Sequence, residues 1–116
     1  MRTMPPTGLS RFPCPHVGGD VELSLEREQH IAAHHPDLLP EHRDRIAPTL
    51  ADPDEIRRSK PFGNARLFSR WYDDVRKGKH VVVVVVSESE PQGRHWIITA
   101  YMASKLAAGE VEWARS

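Results

Sequence analysis

Six consecutive valines, Val81 to Val86, limit what this chain can fold into more than any other stretch. β-Branched side chains are stiff in a helix and fit a pleated surface, so the run predicts a strand. It lacks the apolar–polar alternation of a half-exposed strand, which predicts a central strand covered on both faces. It is also the longest uninterrupted apolar run in the chain, far short of the roughly 20 residues that a membrane helix needs, so no span and no membrane partner are expected. A chain of 116 residues builds one core around such a strand and has no room for a separate regulatory domain.

Upstream of the valines the punctuation changes. Residues 1–20 hold Pro5, Pro6, Pro13 and Pro15 with Gly8, Gly18 and Gly19, and read as an irregular leader, leaving 21–116 as a single domain. Ser24 is placed as a helix N-cap, with Glu26 and Glu28 in the first turn where carboxylates suit the helix dipole. The helix is expected from Leu25 to His34, because His35 precedes Pro36 and is biased away from helical geometry. A second helix is expected from Pro40 to Leu50, kinked or shortened by Pro48. After the turn signal Asp52-Pro53-Asp54, strands are expected at Ile56 to Ser59, Ala65 to Tyr72, the valine run, and Trp96 to Met102. Pro61 to Asn64, Lys77-Gly78 and Glu88 to Arg94 would connect them, and a last short segment after Gly109 would end at Trp113. The fold class expected is α+β: two N-terminal helices packed on a roughly four-stranded antiparallel sheet.

The formal net charge is zero, which argues against a protein that coats nucleic acid without specificity. The charges are nevertheless divided along the chain. From Asp20 to Glu55 ten acidic residues face three arginines, whereas from Arg57 to Lys79 eight basic residues face Asp73 and Asp74. The basic stretch suits a polyanionic ligand, or else the two stretches form solvated faces that attract each other. Cys14 is the only cysteine, so no internal disulfide forms, and no apolar signal segment follows Arg2. A cytoplasmic location is the expectation.

Chemistry-bearing residues concentrate in two places. His30, His34 and His35 fall within six residues at the end of the first expected helix, with Glu26 one turn before His30. Such a cluster suits proton transfer near neutral pH, or is simply a solvated polar face. His30 and His34 have the spacing of two metal ligands, but Ile31 stands where a zinc hydrolase carries its glutamate and no cysteine pair supports a structural site, so no metal is expected. On the last long strand, a period of two places Ile97, Thr99 and Tyr101 on one face and Trp96, Ile98, Ala100 and Met102 on the other. Thr99 and Tyr101 are either hydroxyl donors on an open face or strand-forming residues used for packing. Arg70 between Phe68 and Tyr72 suits phosphate or base recognition, or is a solvated edge residue. There is no glycine-rich phosphate loop and no nucleophile elbow.

The segments Leu23-Ser24-Leu25-Glu26-Arg27, His30-Ile31, His35-Pro36-Asp37-Leu38, Ile46, Thr49-Leu50, Asp52 to Ile56, Leu67-Phe68-Ser69-Arg70, the valines and Ile98-Thr99-Ala100-Tyr101 follow one another in an order that resembles a known family. They look like the small bacterial and phage domains of the barnase, EndoU, colicin and RelE-like nuclease superfamily, over about residues 21 to 113. The resemblance implies N-terminal helices on an antiparallel sheet and a metal-independent endoribonuclease, often a toxin held by a neutralising antitoxin protein. It implies His30 as the helix-borne acid or base with His35 close by, Arg70 as the phosphate-contacting cation, and Thr99 with Tyr101 as the hydroxyl pair. Arg66 and Lys79 would support the substrate phosphate.

The expected reaction is attack of an RNA 2′-hydroxyl on the adjacent phosphorus, leaving a 2′,3′-cyclic phosphate. The nucleophile belongs to the substrate, so positioned bases and cations are sufficient and no cofactor is expected. Transfer RNA or messenger RNA are the candidate targets. The alternative is a non-catalytic RNA- or protein-binding domain of the same fold, since members without activity share the pattern.

Overall fold

The valine run lies at the middle of a mixed sheet. In the computed structural model, which describes residues 8–59, 65–88, 93–106 and 109–115, the elements are β1 (Ser10–Cys14), β2 (Gly19–Leu23), α1 (Leu25–His34), α2 (Ile46–Ala51), β3 (Glu55–Arg58), β4 (Ala65–Tyr72), β5 (Lys79–Ser87), β6 (His95–Ala103) and β7 (Glu110–Ala114). Short 3-10 turns occupy Pro15–Val17 and Arg43–Arg45. The seven strands stand in the order β1-β2-β6-β5-β4-β3-β7. Every neighbouring pair is antiparallel except β2 with β6, which meet in parallel at Glu22 and Trp96.

This overturns the expectation of two N-terminal helices on a four-stranded antiparallel sheet. The four expected strands are present as β3 to β6, but three more extend the sheet at both edges and the chain enters through a β-hairpin. The stretch expected as an irregular leader contains β1 and the start of β2. Pro13 and Pro15 read as breakers, yet β1 is an edge strand, where a proline's missing N–H costs no ladder bond. Phe12 and Cys14 alternate inward on that strand while Arg11 and Pro13 are exposed. The turn placed at 61–64 and the middle of the loop placed at 88–94 lie outside the described residues.

Helix α1 begins and ends where its local chemistry directs. Ser24 Oγ accepts from the Arg27 amide at 3.1 Å, and His35 closes the helix with its own amide on the Ile31 carbonyl. Arg43 then clamps the helix from the side, donating to Glu28 Oε2 at 2.5 Å and to Ser10 Oγ at 2.8 Å. The second helix is shorter than expected. Pro48 is tolerated only within a first turn, so the helix starts at Ile46 and the preceding residues form the 3-10 turn.

The two faces of β5 are both covered. Val81, Val83 and Val85 join Phe68, Ile31, Leu50 and Ile97 in the main core beneath the helices, whereas Val82 and Val84 join Ala65 in a thinner cluster on the opposite face. A bulge in the β5–β6 ladder pairs Val84 with Thr99 but Val85 with Ile97, leaving Ile98 as the extra residue. The expected period of two along β6 therefore breaks there. Ile97 and Ala100 enter the main core, while Ile98 and Tyr101 pack with the opposite cluster. At the β4–β5 turn, Gly78 adopts φ +97 and the Trp71 ring crowds the place where a Cβ would sit, so only glycine fits this corner.

Candidate functional site

Strand β6 and helix α1 bring part of the expected constellation together. Ser24 shares a groove with Trp96 and Ile97, and at the other end the His35 ring meets the Tyr101 ring with centroids 5.9 Å apart and planes at 37°. Helix and strand thus run side by side in the same sense, as the parallel approach of β2 to β6 dictates. His30 and His34 stack on the helix with centroids 4.1 Å apart, and His34 Nδ1 lies 2.9 Å from the His30 carbonyl oxygen. The His30 imidazole is pushed below its ordinary pKa, first by desolvation and then by the neighbouring His34, Arg27 and His35. The three histidines therefore form one electrostatic group at the end of α1, with Tyr101 against His35.

Tyr101 is half-buried, and that burial raises its pKa. The phenol therefore stays protonated at neutral pH. Thr99 precedes it by two residues and stands opposite Val84, whose side chain belongs to the same sheet face as Tyr101.

The cations are placed differently from the expectation. Arg66 and Arg70 alternate with Leu67 and Ser69 on β4 and pair with Val85 and Val81, which puts them on the helix-covered face, opposite Thr99 and Tyr101. Both guanidinium groups are already occupied. Arg70 donates to the Asp52 carboxylate at 2.9 Å and to the Asp52 carbonyl at 2.5 Å, and its guanidinium carbon lies 5.8 Å from the centre of the Tyr72 ring. Arg66 donates to Glu112 at 3.0 Å beside His16 and Trp113. The sequence could not reveal this, because the carboxylates that hold these cations come from other elements. Lys79 differs. It donates to Ser104 Oγ at 3.1 Å, just beyond the end of β6, and has no carboxylate partner among the described residues.

The Arg70–Asp52 pair has a consequence for acid stability. Hydrogen bonds from Arg70 and then from Arg115 hold the Asp52 carboxyl below its ordinary value of 3.8. A carboxylate depressed on folding stabilises the protein above that ordinary value and loses its contribution as pH falls through the folded one. Asp52→Asn is expected to flatten the acid limb of stability below about pH 4, read as urea midpoints over a pH series. An acid limb identical to that of the wild type would show that the pair carries no linkage. The pair is exposed to solvent, so its effect near neutrality is small.

Two further residues line a space that local sequence patterns do not disclose. Arg27 and Trp96, far apart in the chain, both border the groove of about 310 Å³ at the start of α1. Only the alignment of α1 with β6 brings them together. Elsewhere, burial raises the pKa of Cys14, and the thiol is enclosed beneath β1, so it is not an accessible nucleophile. Among the described residues no group of three or more His, Cys, Asp or Glu side chains is arranged to hold a metal ion, and no helix is long and apolar enough to cross a membrane.

No protein-family model matches the chain, and no curated protein or solved structure matches it either.

Proposed function

We propose that this protein is a metal-independent endoribonuclease whose reaction centre is the His35–Tyr101 junction between α1 and β6. The observation that carries the reading is that single contact, which joins a half-buried imidazole to a phenol held in its protonated form. His35 takes the proton of an RNA 2′-hydroxyl as its oxygen forms a bond to the adjacent phosphorus. The bond to the 5′-oxygen breaks, the departing oxygen collects a proton from solvent, and a 2′,3′-cyclic phosphate remains. Tyr101 donates to a non-bridging phosphate oxygen and Thr99 offers a second hydroxyl on the same strand face, so that donors face the charge as it builds. Lys79, without a carboxylate partner among the described residues, is the cation of the expected set still available to phosphate. Arg66 and Arg70 stabilise the fold instead. His30, kept neutral by its surroundings, is a second proton acceptor beside the junction.

The test is a gel of total RNA and transfer RNA incubated with the protein in EDTA, with the products examined for cyclic phosphate ends. Cleavage with cyclic ends is expected, and Tyr101→Phe is expected to slow it by about 10- to 100-fold through loss of one transition-state donor. DNA lacks the 2′-hydroxyl and remains intact. RNA left whole under these conditions, or DNA cut at a comparable rate, would sink the reading, and intact RNA would favour the non-catalytic binding domain. An RNA toxin of this kind calls for a neutralising protein in the cell that makes it, and we include such an antitoxin in the proposal.

A further inference from the structure

The groove at the start of α1 lies outside the chemistry just described, at the opposite end of the same helix–strand pair. Leu9, Ile97 and Trp96 give it an apolar wall, and Arg27, Arg94, Glu22 and Glu88 give it a charged rim around about 310 Å³ of space. That volume is at the lower end of the range for small-molecule sites and suits a ligand the size of a single nucleotide. Two of the four charges are already satisfied by each other, and the Glu88 carboxylate acts electrostatically on the same Arg94. Arg94 donates to Glu22 at 2.6 Å, and Arg11 approaches the same carboxylate at 3.9 Å. The Arg27 side chain has no ion pair among the described residues and is exposed. The groove therefore offers one indole that is partly exposed and one uncommitted guanidinium.

An aromatic face beside an unpaired arginine is the minimal arrangement for a nucleobase and its phosphate: the ring stacks on the base, and the guanidinium takes the anion. A purely hydrophobic ligand would leave Arg27 unused, and an inorganic anion would leave Trp96 unused. The position relative to the reaction centre points the same way. From Arg27 to His35 the chain advances about 12 Å at helical rise, and from Ile97 to Tyr101 about 13 Å at strand rise. Along the line between these two ends the helix carries His30 and the strand carries Thr99. A single strand lying along it would set one base on Trp96 and present a phosphodiester a few nucleotides away to His35 and Tyr101.

We infer that the Trp96–Arg27 groove is a nucleotide-binding subsite, which holds a base and phosphate of single-stranded RNA flanking the cleaved bond. The inference deepens the ribonuclease reading and rests on it for the substrate class, but binding and cleavage are measured separately. The probe is a short, fluorescein-labelled single-stranded RNA carrying 2′-O-methyl groups throughout, which cannot undergo the internal attack. Its affinity for the full chain is measured by fluorescence anisotropy over a salt series.

Trp96→Ala is expected to weaken binding about tenfold, the loss typical of one base stack. Arg27→Ala, an exposed position whose replacement leaves the core untouched, is expected to weaken binding and to lower the slope of log affinity against log salt by about one phosphate contact. Wild-type affinity and slope in Arg27→Ala, together with wild-type affinity in a folded Trp96→Ala, would overturn the inference. Should Trp96→Ala fail to fold, Arg27→Ala decides alone. RNA cleavage with unaltered probe binding in both variants would remove the subsite and leave the catalytic reading in place. Probe binding that depends on Trp96 and Arg27 in a protein that cuts no RNA would remove the catalytic reading and leave the subsite.

Discussion

Replacing His35 with alanine is expected to lower the rate of RNA cleavage by a factor of about 10²–10⁴, the contribution typical of one positioned general base. The fold should barely respond. His35 contributes to structure through its backbone, which donates to the Ile31 carbonyl at 2.6 Å and accepts from the Leu38 and Leu39 amides at 3.0 and 3.2 Å. Alanine keeps all three bonds and the stop imposed by Pro36. A loss of kcat with an unchanged melting temperature would therefore identify the imidazole itself as the lost component. His30→Ala gives the contrast. His30 is exposed and stacks on His34, outside the His35–Tyr101 contact, so its removal should cost less rate than that of His35. Cleavage at the wild-type rate by His35→Ala would exclude this residue as the base. A loss larger in His30→Ala than in His35→Ala would move the centre one turn back along α1.

The elements were largely legible from the sequence because each has a local cause. Ser24, the acidic first turn and Pro36 delimit α1 without help from the rest of the molecule, and the valines specify β5 by shape and hydrophobicity alone. The architecture was not legible, because its missing strands depend on context. β1 carries Pro13, is followed directly by Pro15, and is stable only as an edge that buries Phe12 and Cys14 against the rest of the sheet. β7 is wholly exposed and is held by its pairing with β3 and by Glu112, which accepts from both Arg58 and Arg66.

The candidate site divides along the same line. His30, His34 and His35 were visible as neighbours in the sequence, and they remain neighbours in space. The meeting of His35 with Tyr101 depends on α1 running beside β6, which no local pattern encodes. Arg70 shows the opposite outcome. An arginine between two aromatic residues is a reasonable phosphate contact until Asp52, from the turn after α2, is found on its guanidinium. The bulge at Ile98 has a similar effect, since one inserted residue returns Ile97 to the core and ends the simple alternation on which the face assignment of β6 rested.

The largest expected effect on stability is at Phe68, where alanine should cost about 3–5 kcal/mol. Phe68 is 0% exposed on the helix-covered face of β4, between Ile56 of β3 and Val83 of β5 in the ladder, with the centre of the His16 ring 6.4 Å from its own. Both strand neighbours are fixed by backbone pairing and the helices above are fixed by their own anchors, so the space left by the phenyl ring cannot close easily. Domains of this size have a total stability of about 5–15 kcal/mol, so the loss would consume a large part of it. Trp113 offers an internal comparison. It is the larger side chain, but it is 36% exposed on the edge strand β7, and Trp113→Ala should cost clearly less. Urea denaturation of both variants, with unchanged m-values confirming a change in stability alone, gives the comparison directly. The order of the two costs tests where the main core lies. If Trp113→Ala were the more damaging, the weight of the fold would rest on the β3–β7 edge, and the helix-covered face that supports α1 would lose its place as the structural base of the molecule.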